Sequence, residues 1–358
     1  MTERDAMRRA LALARRGWGR VAPNPMVGAV LLRNGRPIGE GFHAEFGGQH
    51  AEVSALAACS DAAGATCVVT LEPCRHEGKT PPCTEALIAA RVGRVVVALP
   101  DPDPTAGGGV AGLRAAGIDV DVGLLASEAA ALNAPFLWAR RRPTPFVALK
   151  VATSLDGLLA DARGSSRWVS GPEAREYVHW LRAGFDAIGV GRRTAEEDDP
   201  RLTARGHPEP RRPPRRVIFA REGPIANTWH LVREAERHPT MVIRVGGGDA
   251  GAIQASPGIP TIAAPSLEDA LVQLRVDGVE SLLIEGGGTL ARAMLQEGLV
   301  DRVYWIQAPR WLGEGVAAFL PGAPHPLAEA PVWTVTERRA LGTDTLLVVD
   351  RELCLPES

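Results

Sequence analysis

The sequence predicts two α/β units in tandem, and three observations carry that expectation. At 358 residues the chain exceeds one ordinary domain. Two separate stretches alternate short apolar runs with amphipathic segments, the pattern of strands and helices taking turns. Between them "WARRRPTPF", residues 138–146, crowds arginine and proline with little to bury, as a linker does. The expected units are 1–142 and 143–358.

The elements follow in order. Met7, Ala10, Leu11 and Ala14 recur at helical spacing near the N-terminus, and Thr2 is placed to cap that helix. "VGAVLL" and "IGEGFH" flank Asn34-Gly35, a hairpin signal. "HAEVSALAAC", "TPPCTEALIAARV" and "GGVAGLRAAG" read as helices, and "TCVVTLEP", "RVVVALPDP" and "IDVDVG" as strands. In the second stretch "FVALKVATS", "DAIGVG", "RRVIFA", "TMVIRVG", "SLLIE" and "RVYWIQAP" read as strands, with a helix at "PEAREYVHWLRAG" and another starting near Thr289. The segment 205–216, "RGHPEPRRPPRR", reads as a solvated loop, since no aromatics interleave its charges as a nucleic-acid arm requires.

Composition narrows the function. A net charge of −2 gives no reason to expect nucleic acid or an anionic membrane as partner. No apolar run is long enough to cross a bilayer. Five thinly spread cysteines do not make a secreted disulfide framework, so a cytoplasmic chain with reduced thiols is expected. Cys59 and Cys67 fall on apolar elements and read as core.

Chemistry concentrates in "HAEVSALAACSDAAGATCVVTLEPCRHEGKTPPC", residues 50–83. His50, Cys74 and Cys83 offer zinc one nitrogen and two sulfurs, and three protein ligands leave a fourth place open for water. Glu52, two residues beyond His50, is placed to move that water's proton. Thr80-Pro81 is expected to cap a helix whose N-terminus favours the Cys83 thiolate. Zinc nucleobase deaminases carry His-x-Glu followed by Pro-Cys-x-x-Cys. Here "HAE" and "EPC" match, but "RHEGKTPP" widens the gap between the cysteines.

That widened run, with "PNPMVGAV" (23–30), "GEGFH" (39–43) and "DPDP" (101–104), resembles the bifunctional riboflavin-biosynthesis enzymes, a pyrimidine deaminase fused to a reductase. The resemblance covers nearly the full chain. It implies a cytidine-deaminase-like α/β/α sandwich followed by a dihydrofolate-reductase-like α/β domain. It implies zinc-dependent hydrolytic deamination of a diaminopyrimidinone ribosyl phosphate, then NADPH-dependent reduction of the ribosyl group to ribityl. Asn24, and with it His43, would face the pyrimidine, and His76 would belong to the substrate loop. A small-molecule substrate and a homo-oligomer are expected. A nucleic-acid-editing deaminase would share the zinc motif, but the chain's charge and second half argue against it. A zinc scaffold without chemistry would not need Glu52.

The second half has no GxGxxG after an early strand, but Glu285 is followed by three glycines and a helix, a natural phosphate cradle. "LKVATSLDG", "SSRWVSGPEA", "LRAGFDAIGVGRRT", "DDPRLTAR" and "IEGGGTLA" occur in the order of the family's reductase domain. The resemblance implies cofactor contacts from Ala152, Trp168, Thr194, Asp198 and the turn Gly287, Gly288, Thr289, Leu290, Ala291, Arg292 and Ala293. It implies a substrate site lined by Ser166, Arg182, Leu202, Arg205 and Glu285, with arginines suited to gripping the ribose phosphate. Lys150, Asp156 and Glu285 are the candidate proton donors. The sequence departs from the family at Ala220-Arg221, where Asp-Ser is common, and at Leu158, where a basic residue is common.

Overall fold

Thr2 opens the first helix, α1 (Glu3–Ala14), by a reciprocal cap. Its hydroxyl accepts the Asp5 N–H at 3.2 Å, and the Asp5 carboxylate accepts the Thr2 N–H at 3.1 Å. Ala6, Met7, Ala10, Leu13 and Ala14 form the buried stripe, with Leu11 at its edge. The protein is described by a computed structural model covering residues 1–77, 81–103, 105–165, 169–246, 258–318 and 326–355. Its contacts divide the chain into Met1–Arg141 with the chain from Leu353 onward, and Arg142–Glu352. The sequence expectation gave the tail to the second unit. Instead Cys354 is buried in the first unit's core, and Arg141 Nη1 donates to the Leu355 carbonyl at 2.9 Å.

The first unit continues through β1 (Gly28–Arg33), β2 (Arg36–Phe42), α2 (Ala51–Ala57), β3 (Thr66–Val69), α3 (Cys83–Ala89), β4 (Arg94–Val97), α4 (Gly109–Ala115), β5 (Asp119–Val122), α5 (Ala126–Leu132) and α6 (Ala134–Ala139). Asn34 and Gly35 both take positive φ, 51° and 71°, which closes the β1–β2 hairpin as expected. Among the described residues the sheet runs β2-β1-β3-β4-β5, with β1 antiparallel to both neighbours and β3, β4 and β5 parallel. Alternate strand residues enter two cores. Val30, Leu32, Val68 and Val96 pack with Met7, while Ala29, Leu31, Cys67 and Val95 pack with Ala55. A sheet buried on both faces makes this an α/β/α sandwich. The buried Cys67 and the half-buried Cys59, which packs against the same core, have the expected structural roles. Trp138 and Ala139, expected in a linker, instead finish α6.

The second unit comprises β6 (Phe146–Thr153), β7 (Leu158–Asp161), α7 (Pro172–Ala183), β8 (Ala187–Gly191), α8 (Arg192–Asp198), β9 (Arg215–Ala220), α9 (His230–Arg233), β10 (Thr240–Val245), β11 (Thr261–Ala264), α10 (Leu267–Val276), β12 (Ser281–Glu285), α11 (Gly288–Gln296), β13 (Arg302–Gln307), β14 (Gly315–Ala317), β15 (Thr334–Leu341) and β16 (Asp344–Asp350). Among the described residues the large sheet runs β11-β10-β9-β8-β12-β6-β13-β16-β15. It is parallel from β11 to β13, and β16 and β15 add an antiparallel edge. The basic segment is not solvated throughout. Arg215 and Arg216 begin β9, and Arg216 is buried, its Nη2 donating to the carbonyls of Leu231 and His238 at 3.1 and 2.8 Å. Those carbonyls replace water for the guanidinium. Among the described residues no helix is long and apolar enough to cross a membrane.

Candidate active sites

In the first unit, His50 is the N-cap of α2 and Cys83 is the first residue of α3, so two helix starts converge. The His50 Nδ1 lies 3.2 Å from Cys83 Sγ and 3.5 Å from Cys74 Sγ. One ligand atom from each of these residues falls within 4.8 Å of the others. The local capping differs from the sequence expectation. Pro82 is the N-cap of α3, and Thr80 lies outside the described residues. The Cys83 N–H donates to Cys74 Sγ at 3.4 Å, so this helix start serves the other sulfur. Hydrogen bonds from Cys83 and His50 outweigh burial and hold the Cys74 thiol down to about 4, while Cys74 and burial push Cys83 up. Two sulfurs thus sit against an imidazole, a donor set chemically suited to a zinc ion, which would bind both sulfurs as thiolates.

Glu52, in the first turn of α2, is buried at 3% exposure, and its carboxyl reaches the Cys83 thiol. Burial pushes it up to about 7. A cavity of about 360 Å³ opens over this group and is lined by Asn24, His43, His50, Glu52, Cys74 and His76, among others. His43 Nδ1 donates to the Gln49 carbonyl at 2.9 Å, which leaves Nε2 to accept from Asn24 Nδ2 at 3.1 Å. Burial pushes His43 down and keeps its ring neutral. Asn24 is thereby oriented with its Oδ1 as the remaining acceptor.

Sequence reasoning missed the residues that pin the cavity's loops. Asn133 Oδ1 accepts the Met26 N–H at 2.8 Å and its Nδ2 donates to the Met26 carbonyl at 2.9 Å. Glu72 accepts the N–H groups of Asp101 and Val110 at 3.0 and 2.8 Å. Asp101, Asp103 and Arg140 also line the cavity. "DPDP" signalled the first two; nothing local signalled Asn133.

In the second unit a cavity of about 440 Å³ opens at the carboxyl ends of β6, β8 and β12, where open α/β sheets hold ligands. It brings together Ala152, Arg182, Thr194, Asp198, Leu202, Arg205, Glu285, Gly287, Gly288 and Ala291 from the expected set. Thr289, Leu290, Arg292 and Ala293 do not line it: Thr289 is exposed, Leu290 and Ala293 pack on the core, and Arg292 reaches Gln296. Ser166 and Trp168 lie outside the described residues. Gly286 and Gly287 take positive φ, 69° and 46°, and a Cβ on either would press within 2.6 Å of the Thr194 side chain. This leaves backbone beside the cavity that a side chain would fill, as a cofactor phosphate requires.

Arg182 is not free to grip phosphate with its whole fork. Its Nε and Nη2 donate to Glu285, and Nη1 donates to the Thr203 carbonyl at 3.1 Å. Burial opposes Glu285's charge, but Arg182 and Lys150 outweigh it and hold the carboxyl low. Lys150 also lines the cavity, and burial pushes its ammonium down. Asp156 accepts from Ser154 Oγ and from the Leu312 and Gly313 N–H groups, and it is not among the cavity's lining residues. Leu158 is half-buried at the start of β7, while Ala220 is buried and Arg221 exposed.

Known proteins share both halves. Residues 1–99 match the cytidine and deoxycytidylate deaminase zinc-binding region, and residues 145–347 match the RibD C-terminal domain. The riboflavin biosynthesis protein RibD of Escherichia coli is 39% identical over 97% of this chain and 99% of its own. The chain belongs to the RibD family. Among solved structures, a RibD of Acinetobacter baumannii is 38% identical, covers 97% of this chain and 98% of its own, and superposes with a TM-score of 0.80. A Thermotoga maritima diaminohydroxyphosphoribosylaminopyrimidine deaminase and 5-amino-6-(5-phosphoribosylamino)uracil reductase is 35% identical with the same coverage and the same TM-score of 0.80. As a RibD protein the chain is a bifunctional deaminase and reductase of riboflavin biosynthesis, with a zinc-binding deaminase domain and an NADPH-dependent, dihydrofolate-reductase-like domain.

Proposed function

We propose that the first unit hydrolytically deaminates a diaminopyrimidinone ribosyl phosphate and that the second reduces the ribosyl group of the product to ribityl. The observation that carries this reading is the buried Glu52 carboxyl beside His50, Cys74 and Cys83 at one cavity. Those three residues would hold zinc, which when bound supplies the Lewis acidity that makes a water nucleophilic near neutral pH. Glu52 takes the proton of the attacking water and delivers it to the departing amino nitrogen, so the ring gains a carbonyl and ammonia leaves. Asn24, held by His43, accepts from a pyrimidine N–H and sets the ring's angle.

For the second step NADPH supplies the hydride. Gly286–Gly288 receives its diphosphate, and Arg205 and Arg175 at the cavity offer cations to the substrate's phosphate. Lys150 donates the proton that the ring oxygen takes as the sugar opens; its place at the cavity and its suppressed basicity support that role. Cytoplasmic location and a homo-oligomer belong to the same proposal. They are supported by five cysteines outside any disulfide and by large apolar side chains left in solvent at Trp311, Leu327 and Val332.

The direct test is incubation with the diaminopyrimidinone ribosyl phosphate and mass analysis of the product. Without NADPH the amino group should be replaced by oxygen; with NADPH two hydrogens should be added. Unchanged substrate in metal-loaded protein would sink the proposal.

A further inference from the structure

Residues 199–214, between α8 and β9, form neither helix nor strand, yet their first part lines the reductase cavity. Asp198, Pro200, Leu202 and Arg205 face that cavity. Between them the backbone turns left-handed twice, at Asp199 with φ 39° and at Leu202 with φ 51°. Residues with a β-carbon rarely adopt that region, so the surroundings must hold the chain in this shape. Pro200 adds to the demand, because a proline pushes the residue before it towards extended backbone. The turn is held from behind. Asp199 Oδ1 accepts the His230 N–H at 2.7 Å, and Oδ2 accepts from His230 Nδ1 at 2.6 Å. A carboxylate only accepts, so Nδ1 carries the hydrogen. His230 begins α9, and its neighbours Trp229 and Leu231 are buried in the same apolar core as Leu202. The histidine therefore pulls from a fixed base. Further along, the Arg201 carbonyl accepts from Arg216 Nη1 at 3.3 Å, and the Thr203 carbonyl accepts from Arg182 Nη1 and His179 Nδ1, each at 3.1 Å.

Of these holds the pair of His230 and Asp199 is the separable one. Arg182 and His179 line the cavity themselves, and Arg216 is buried in β9. Neither His230 nor Asp199 is among the cavity's lining residues, so the pair reaches a ligand only through the turn. We propose that His230 is a positioning residue of the reductase, whose grip on Asp199 fixes the left-handed turn that brings Asp198 to the cofactor and Leu202 and Arg205 to the substrate. The inference rests on the reductase reading above. Without the grip, Asp199 relaxes towards extended backbone, and its chain neighbours Asp198 and Pro200 swing with it. A turn that keeps the binding shape only a tenth of the time weakens apparent affinity about tenfold, because only that fraction of molecules binds. Such a loss falls on both ligands, and on binding rather than on the hydride step.

The test is steady-state kinetics of the full chain with NADPH and deaminated substrate, comparing wild type with His230→Leu, His230→Asn and Asp199→Ala. Leucine keeps bulk and removes the Nδ1 donor; asparagine returns an N–H donor near the same place. His230→Leu should raise KM for both ligands by about tenfold and change kcat by less than about twofold. His230→Asn should recover most of that loss. Asp199→Ala should match His230→Leu, and the double variant should lose no more than either alone, since both remove one interaction. Ammonia release, the work of the other unit, should not change in any of them. Should His230→Leu fail to fold, Asp199→Ala against His230→Asn carries the same comparison. Unchanged KM values, a fall confined to kcat, or asparagine no better than leucine overturns the inference and leaves the reductase reading standing. A wild type that leaves NADPH unoxidised overturns the reductase reading, and this inference with it.

Discussion

Arg182 on α7 and Glu285 at the end of β12 form a two-pronged ion pair, with Nε to Oε1 at 2.6 Å and Nη2 to Oε2 at 2.8 Å. Their side chains are 15% and 7% exposed, so each desolvated charge depends on the other. Glu285→Gln should destabilise the second unit by about 3–5 kcal/mol, and the apolar pair Arg182→Met/Glu285→Met should recover most of that loss. Glu285's carboxyl is held low, so its contribution is present above the ordinary glutamate range and lost as pH falls through the lowered value. Urea titrations of the three proteins at neutral and acid pH measure both effects; equal stability of wild type and Glu285→Gln would sink the prediction.

Cys83 supplies one of three clustered ligand atoms. Metal analysis of the purified chain should find close to one zinc per chain, and Cys83→Ala should lose it. Zinc retained in that variant would remove Cys83 from the ligand set.

Glu52 reaches the site without being needed as a ligand. Glu52→Gln should therefore keep zinc while deamination falls by about 10²–10⁴-fold. Near-normal ammonia release from the metal-loaded variant would exclude Glu52 as proton carrier.

The two cavities draw their linings from separate units. Chelation should stop ammonia release and leave NADPH oxidation on supplied deaminated substrate. Gly287→Val should do the reverse, because its φ of 46° and the nearby Thr194 Oγ1 leave no room for a side chain. Loss of both half-reactions under chelation, with the chain still folded, would show that the chemistry is not divided in this way.

Asp101 tests pH dependence with the opposite sign from Glu285. Burial raises its carboxyl to about 6. The folded chain keeps a proton that the unfolded chain has released, so this contribution favours folding at low pH and is lost as pH rises through that value. Asp101→Asn should melt above wild type near about pH 8 and level with it near about pH 4. Calorimetric scans at both values decide; a variant no more stable at the higher pH contradicts the assignment.

The sequence made the zinc group legible because His50 and Cys83 stand at helix starts, Cys74 follows a strand, and all three carry distinctive chemistry. Short apolar runs exposed the strands at 28–33 and 281–285, and helical spacing exposed 3–14 and 172–183. Long-range pairings were not legible. Asn133 holds Met26 across 107 residues, and its neighbours show no periodicity that points there. Arg182 carried the signature of a phosphate grip, but only the fold brings Glu285 against it. Arg216 sat in a run whose composition spoke for solvent, and the carbonyls of Arg201, Leu231 and His238, together with the Glu234 carboxylate, compensate its burial. The edge strand β15 mixes charged with apolar residues because much of it is exposed, and β16 beside it alternates buried with more exposed positions, which blurs the apolar run that marks a fully buried strand.

The chain leaves the first unit after Arg141 and returns to it at Leu353. Cys354, buried among Leu13, Val30 and Phe136, is therefore the last piece of a core whose other members emerge from the ribosome first. The unit begun earliest is finished only after the other has been made. A gene cut after residue 142 would separate the two chemistries on paper, yet release a deaminase with an open seam in its wall. The fusion is a stitch as well as a join: the return at Leu353 ties the two units into one order of manufacture.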